Sequence, residues 1–305
     1  MKQTKNGKAV SFNKWGYIFL IPFVLTYLFF QLVPLCLTIY YSFITYFEDG
    51  LTTIKTGWNN FQSYAYFFKD SRLLTYGLNT MIMWIIGFIP QILVSLLLGA
   101  WFSDARLRLK AASFYKIVIY MPNLIMASAF SLLFFSLFKD SGPIHGLLAN
   151  MGVIKDTQDL FKNVWFARSL VGFMNFLMWF GNTTILLMAG MLGIDQSLYE
   201  AAEVDGATPT QVFWRITLPL LRPILVYVLL TSLIGGLQMF DVPQVLTQGK
   251  GGPNETTYTL IMWLNRFSSG NKDFGKGGAL SVILFIITGI LSLIVYKVSA
   301  GKSEE

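Results

Sequence analysis

Six apolar stretches, each long enough to cross a bilayer, alternate along the chain with polar segments. A helix rises about 1.5 Å per residue, so roughly 20 apolar residues bridge a hydrocarbon core of about 30 Å. On that measure the pattern predicts spans at about 15–43, 81–102, 117–138, 165–192, 223–246 and 277–296. A polar N-terminal tail (1–14) and a short C-terminal tail (297–305) flank a membrane domain over 15–296. Pro22 and Pro34 are expected to tilt or kink the long first span, and Met121-Pro122-Asn123 stands near the start of the third. The segment at 48–76 is rich in aromatics and amides, and the one at 139–164, with Gly142-Pro143 and Gly152, predicts a short surface helix. The expected fold class is an all-α integral membrane protein with six transmembrane helices.

One polar stretch, 195–222, breaks this rhythm with its own helical signals. Ser197 followed by Glu200, and Thr208 followed by Gln211, fit capping boxes. Pro209 falls at a first helical position, where its missing N–H costs nothing. Asp205-Gly206 marks a turn, because glycine accepts the positive φ that ends a helix. Leu218-Pro219 and Arg222-Pro223 are expected to break the second helix before the next apolar run. The stretch reads as a capped helical hairpin between two spans, a surface for a partner to grip.

Composition narrows the chemistry. Of 305 residues 54% are hydrophobic and 13% charged, which suits a membrane protein. The net charge of +7 needs no nucleic acid, since Lys and Arg gather beside spans. The single cysteine, Cys36, lies in an apolar run and reads as a small buried hydrophobe; the single histidine, His145, sits in a Gly-Pro-Ile-His-Gly loop that gives a metal site little support. No metal ligand set and no nucleophile–base pair is expected, which counts against a membrane enzyme. A secondary transporter coupled to protons or sodium would place paired ionisable groups at mid-membrane, and these spans are almost free of them.

Glu200-Ala201-Ala202, Gly206, Ile216, Leu218 and Pro219 resemble the EAA loop of permease subunits in binding-protein-dependent ABC importers. The resemblance implies that this loop is cytoplasmic and couples to an ATP-hydrolysing partner through Glu200, Ala201, Ala202, Asp205, Gly206 and Ala207. It also implies that both termini lie inside. Charge alone does not orient the chain, because in that topology twelve of the 23 Lys and Arg fall inside and eleven outside. The N-terminal Lys2, Lys5, Lys8 and Lys14, and the stretch with Arg106, Arg108, Lys110 and Lys116, favour the same orientation.

A second stretch is similar to carbohydrate permeases of the maltose and multiple-sugar type: Phe240-Asp241, Leu246-Thr247, Gly251-Gly252-Pro253, Thr256-Thr257, Asn265-Arg266-Phe267 and Gly278-Ala279-Leu280-Ser281. The chain departs from that pattern by extra residues before Gly251, and Gly249-Lys250 lacks the spacing of a phosphate loop. With the spans, the likeness covers nearly the whole chain. It implies a heterodimeric permease for a sugar, expected to be an oligosaccharide, in a prokaryotic cytoplasmic membrane. The implied partners are a second, similar permease, two copies of a cytoplasmic ABC ATPase and an extracytoplasmic sugar-binding protein. No cofactor is expected in this chain, with ATP and Mg carried by the ATPase, and the mechanism implied is alternating access.

Sugars offer hydroxyls to amide and hydroxyl side chains, and apolar faces to aromatic rings. Asn175, Trp179, Asn182 and Thr183 on the fourth span are spaced to share one helical face. On the fifth, Gly235-Gly236 is expected to open space that Gln238 and Met239 reach. The resemblance makes Trp179, Thr183, Gly236 and Met239 candidates for the substrate path, and chemistry adds Asn175, Asn182 and Gln238. Gln31 and Gln91, each near a proline, are expected to satisfy freed backbone groups, and Asp241 to make a helix-end hydrogen bond or ion pair.

Overall fold

The computed structural model describes residues 13–104, 107, 110–155 and 158–300. Lys2, Lys5, Lys8, Arg106, Arg108 and the C-terminal Lys302 lie outside the described residues. The chain begins with α1 (Asn13–Tyr27), which passes through a π turn at Leu28–Leu32 into α2 (Val33–Ser42). A hairpin of β1 (Ile44–Asp49) and β2 (Thr52–Trp58) follows, then α3 (Gln62–Lys69) and the long α4 (Arg72–Ser103). Next come α5 (Ala112–Tyr120), α6 (Ala127–Phe138), α7 (Pro143–Asn150) and α8 (Val164–Leu192). After these, α9 (Gln196–Val204), α10 (Pro209–Val212) and α11 (Leu218–Leu220) occupy the polar stretch. The chain continues with α12 (Arg222–Leu237), α13 (Asp241–Leu246), α14 (Leu260–Asn265) and α15 (Phe274–Ala300).

Among the described residues five helical stretches are long and apolar enough to cross a membrane: Trp15–Ser42, Arg72–Ser103, Val164–Leu192, Arg222–Leu246 and Phe274–Ser299. A sixth exists if Ala112–Leu124 and Ala127–Asn150, bent by 89°, count as one. The bend follows from the sequence. Pro122 starts a tight 3-10 turn at Met121–Leu124, and Ile125 and Met126 then adopt extended ψ values near 131°. Asn123 Nδ2 donates to the Met178 carbonyl at 3.0 Å and pins the turn to α8.

Three expectations need correction. The protein is not purely α-helical: β1 and β2 pair antiparallel, Asp49 opposite Thr52, across a two-residue turn with Gly50 at φ +59°. Their β-branched and aromatic residues suit a pleated strand, and the Lys55 ammonium lies 5.4–5.9 Å from the rings of Tyr40, Tyr41 and Tyr46. The helix of the second span starts at Arg72, nine residues before the expected start at 81, so Asn79 and Thr80 lie inside it. Cys36 is exposed, because an apolar sequence neighbourhood on a span does not require packing within the same chain.

The chain divides into two compact units. One comprises the described residues up to Tyr66 together with Phe267–Ile283. Here Phe43 stacks on Trp58 at 5.2 Å, and the start of α15 packs on α2 and β1 through glycines. A Cβ on Gly278 would stand 2.8 Å from the Thr38 carbonyl oxygen, and one on Gly275 2.6 Å from that of Ile44. The other unit comprises Phe67–Arg266 and the chain from Leu284 onward. Its centre is the pair α4 and α8, drawn together where Gly87 meets Gly172: a Cβ on Gly87 would lie 2.7 Å from the Gly172 carbonyl oxygen. Met83, Val171, Met174 and Met178 fill one core with Val242 and Leu246 of α13, while Leu187, Met191, Leu221 and Val228 form a second.

Candidate functional site

The polar hairpin is assembled from local signals. Asp195, not Ser197, caps α9: its carboxylate accepts from the Ser197 N–H at 2.9 Å. That bond, with the Ser197 hydroxyl, holds the Asp195 carboxyl below its ordinary value. The far end of α9 closes as a Schellman motif. Gly206, at φ +73°, donates to the Glu203 carbonyl at 3.1 Å, and Ala207 donates to the Ala202 carbonyl at 2.9 Å. Ala202 is buried and Ala207 half-buried, as the apolar contact of that motif requires, while Glu200, Ala201, Asp205 and Gly206 are exposed. Thr208 then caps α10 in a reciprocal box with Gln211, and Pro209 takes the first helical position. Of the two proline pairs only the second coincides with a break, where α11 ends at Leu220 and α12 begins at Arg222; Leu218-Pro219 does not end the helix. The chain runs through a π turn at Phe213–Thr217 into α11, since a proline in the first turn of a new helical segment loses no bond.

The hairpin is braced within itself at one place and tied back to its unit at another. The Tyr199 hydroxyl lies 3.3 Å from Thr217 Oγ1, and Arg222 donates through Nε and Nη2 to the Ser299 carbonyl at 2.8 and 2.5 Å. What it leaves uncovered is apolar as well as charged: Leu198 is 43% exposed, Trp214 62% and Val204 88%. These residues went unread in the sequence, where the motif drew attention to the charged and small positions. Val204, immediately before the Asp-Gly cap, is a signal that a periodicity count would have given.

The path candidates separate into two environments. Thr183 is buried against α4, where it accepts from Gln91 Nε2 at 2.7 Å and donates to the Trp179 carbonyl at 3.1 Å. Gln91 therefore bonds a neighbouring helix and not freed backbone. Asn175 is half-buried, donating to the Val171 carbonyl at 2.9 Å and lying 3.5 Å from the Met239 sulfur. Trp179 is 49% exposed and Asn182 half-buried. The four residues lie along one side of α8, but Thr183 is turned into the α4 contact and Trp179 away from it. Of Gly235-Gly236 only the first opens space as expected, with nothing within 4 Å of a Cβ placed there; the indole of Trp84 fills the position that a Cβ on Gly236 would take, and its Nε1 donates to Ser232 Oγ at 3.1 Å.

The fifth span is interrupted just after these glycines. Gln238 ends α12, Phe240 takes φ −135° and ψ −61°, and α13 starts at Asp241. Gln238 is exposed at the break and Met239 buried. Asp241 is an exposed residue in the first turn of α13, where a carboxylate favours the helix N-terminus. Backbone left free at membrane depth must be satisfied by protein or line a cavity. Here the Met239 carbonyl accepts from Thr259 Oγ1 at 2.9 Å.

Thr259 belongs to a loop held by a network the sequence did not disclose. Arg168 Nε donates to the Thr256 carbonyl at 2.9 Å and its Nη2 to Asn79 Oδ1 at 2.5 Å. Asn79 Nδ2 donates to the Glu255 carbonyl at 2.9 Å, and the Tyr76 hydroxyl donates to Glu255 Oε2 at 2.5 Å. The Leu260 N–H reaches Thr80 Oγ1 at 3.3 Å. Together α4 and α8 clamp the loop beside the break. His145, 1% exposed, keeps its Nε2 2.9 Å from the Gln158 carbonyl, a structural arrangement.

Residues 91–301 match a family model described as "Binding-protein-dependent transport system inner membrane component". The chain is 30% identical to the arabinooligosaccharides transport system permease protein AraP of Bacillus subtilis (strain 168), over 95% of this chain and 90% of that protein. It resembles the crystal structure of a bacterial ABC transporter involved in import of the acidic polysaccharide alginate, with a TM-score of 0.79, 19% identity and coverage of 96% of this chain and 97% of the other. A bacterial alginate ABC transporter in complex with an alginate pentasaccharide-bound periplasmic protein matches at a TM-score of 0.77 and 18% identity, covering 96% of each chain.

Proposed function

Because the chain belongs to the family of binding-protein-dependent transport system inner membrane components, we propose that it forms one half of the membrane channel of an ATP-driven sugar importer. It is a multi-pass membrane permease of the carbohydrate ABC importer type. Its cargo in this reading is an oligosaccharide, which the arabinooligosaccharide relative and the fold likeness to an alginate importer support. A second permease completes the channel, and two ATPases carrying ATP and Mg bind on the cytoplasmic side. A sugar-binding protein delivers cargo from outside, a partner that the alginate importer's complex supports. The cell membrane is the inner or plasma membrane of a prokaryote.

The observation that carries this reading is the hairpin. With both of its helices capped, braced internally by Tyr199 on Thr217 and tied back through Arg222, it is rigid enough to transmit a displacement. Glu200 and Asp205 offer charge to a basic groove, Ala201 close approach, and Leu198, Val204 and Trp214 apolar surface to bury. ATP binding draws the ATPases together, and the hairpins turn that movement into a switch of the cavity from inward-facing to outward-facing. Each state is favoured by its own ligand, nucleotide inside and loaded binding protein outside. Trp179, Asn182 and the exposed Gln238 at the break then meet the sugar, while Asn175, Thr183, Gly236 and Met239 hold the walls that present them.

The test is uptake of labelled mono- and oligosaccharides by cells with and without this subunit, with ATP depletion and an uncoupler as separate arms. Loss of one sugar's uptake that tracks ATP is the expected result. Uptake that follows the proton gradient and ignores ATP overturns the proposal.

A further inference from the structure

A cavity of about 440 Å³ lies within the unit formed by the β hairpin, the start of α3 and the N-terminal end of α15. Its volume falls in the range of small-molecule sites. In the proposed topology these segments follow the first span and precede the sixth, so they lie on the outer side. The cavity shares no residue with the candidate path on α8 and α12.

Its walls carry chemistry that the fold does not use up. Asn59 is 6% exposed, and its Nδ2 donates to Ser63 Oγ at 3.0 Å, yet its Oδ1 has no hydrogen-bond partner among the described residues. Buried polar groups are nearly always paired, so such an orphan asks for an explanation. Turning the amide over does not remove it, because the Ser63 hydroxyl can satisfy only one end and the other is then left alone. A ligand hydroxyl both donates and accepts, and satisfies the amide in either orientation. Gln62, exposed at the wall, adds a second amide, and Phe47 and Tyr66 bring aromatic rings. The two charged groups cancel: Lys276 Nζ lies 2.8 Å from Asp273 Oδ2, so the walls present no net charge. Amides, a hydroxyl and aromatic rings without net charge suit a neutral, hydroxyl-rich ring and disfavour an anion or a cation.

We propose that this cavity is a second sugar subsite, on the outer side of the subunit, that takes one neutral sugar ring through the Asn59 amide. The assignment rests on the sugar-permease reading above. The subsite raises the local concentration of cargo outside, so its loss acts on apparent affinity and not on turnover.

The test pairs two variants with two measurements. Asn59→Leu keeps the bulk and removes the amide; Gln62→Trp plugs the cavity from an exposed position and does not depend on Asn59's role in the local turn. Sugar contact is measured by saturation-transfer NMR on the full-length chain in nanodiscs, with maltotriose, lactose and arabinotriose as probes. Uptake of the same sugars is measured in cells carrying the complete importer, with membrane abundance of each variant as the folding control. The expected result is saturation transfer reduced in both variants, the path on α8 and α12 keeping its own share, and an uptake KM raised about fivefold, the effect of one neutral hydrogen bond, at unchanged maximal rate. If Asn59→Leu fails to accumulate, Gln62→Trp alone decides. Wild-type uptake with unchanged KM and unchanged NMR contact in Gln62→Trp overturns the subsite and leaves the permease reading standing. Variants that keep sugar contact but need more binding protein for half-maximal ATPase activity overturn it in favour of a protein contact. Wild-type cells that take up none of the sugars overturn the permease reading and this assignment with it.

Discussion

Arg168→Met is the most direct test of the clamp beside the interrupted span. The methionine keeps much of the aliphatic bulk and removes the two charge-assisted hydrogen bonds, to the Thr256 carbonyl and to Asn79 Oδ1. Bonds to a charged group contribute about 1.5–3 kcal/mol each, and removing one partner leaves the other to be resolvated. Both bonds hold the same loop, one directly at Thr256 and the other through Asn79, which donates to the Glu255 carbonyl, so they do not add in full. Arg168 is itself half-buried, so water recovers part of the loss. A second anchor, Tyr76 to Glu255, remains. These considerations set the cost at about 2 kcal/mol, which corresponds to an opening equilibrium about 30-fold more populated. The readout is amide hydrogen exchange on the assembled protein. The Thr257 N–H bonded to the Gly251 carbonyl, the Tyr258 N–H bonded to Glu255 and the Leu260 N–H bonded to Thr80 should all lose protection by about that factor. Amides of α9, which share no partner with Arg168, serve as the control. Arg168→Lys, able to hold one acceptor but not both, should fall between. A change of less than about threefold at Thr257 and Leu260 in Arg168→Met refutes the reasoning, because the loop is then held without the guanidinium.

Glu200→Lys should abolish uptake while the protein still assembles, measured as transport against membrane abundance; normal transport in that variant removes the coupling role. Gly236→Ala should lower the thermal midpoint by an overpacking cost of about 1–3 kcal/mol, because its methyl lands on the Trp84 indole; an unchanged midpoint means the indole moves aside freely. Asp195 has its carboxyl pKa depressed in the folded state by the Ser197 hydrogen bonds. Its capping contribution is therefore complete above the unfolded value, near 3.8, and fades as pH falls through the lower folded one. Exchange protection of the first turn of α9 should be flat from neutral pH down to about pH 5, above the carboxylate range, and decline only in stronger acid. Asp195→Asn should erase that decline, and a decline that survives the substitution assigns it to another group.

What could be read in advance was what is local. The hairpin's caps, its first-position proline and its C-terminal glycine act over two to five residues, so they stand in the sequence as they stand in the fold. Even there Asp195 displaced Ser197, since both can cap and only the helix start decides which does. The spans were legible because bilayer crossing is a matter of length and apolarity. The β ribbon was not, as its residues carry no clean alternation and part of its support, Tyr40 and Tyr41 of α2 around Lys55, comes from elsewhere in the unit. Contacts between distant residues were out of reach for the same reason. Nothing near Gly236 says that Trp84 will fill it, nothing near Gln91 names Thr183, and Arg168 in the sequence is only a cation near the start of a span.

The hairpin and the interrupted span are joined by packing, and that joins the two ends of the proposed mechanism. Gly190 near the end of α8 admits the side chains of Ile224 and Leu221, so the helices on either side of the hairpin meet without a gap. From there α12 runs 16 residues, about 24 Å, as a continuous rod to Leu237. Arg222, its first residue, holds the Ser299 carbonyl near the end of α15. A displacement of the hairpin therefore reaches the far end of α12 undiminished by any kink within the rod. It arrives at Gln238–Phe240, where the backbone leaves the helix and the Met239 carbonyl depends on Thr259 of the clamped loop. A rigid rod ending at a break is a place where movement becomes rearrangement: the break can repack without unwinding a helix, and the loop gives it a fixed point to move against. The polar Gln238 is exposed at that point, beside Met239 and its contact with Asn175. In the proposed mechanism, force from the ATPase side and selectivity for the cargo meet at these three residues of the fifth span, so a substitution there should alter both.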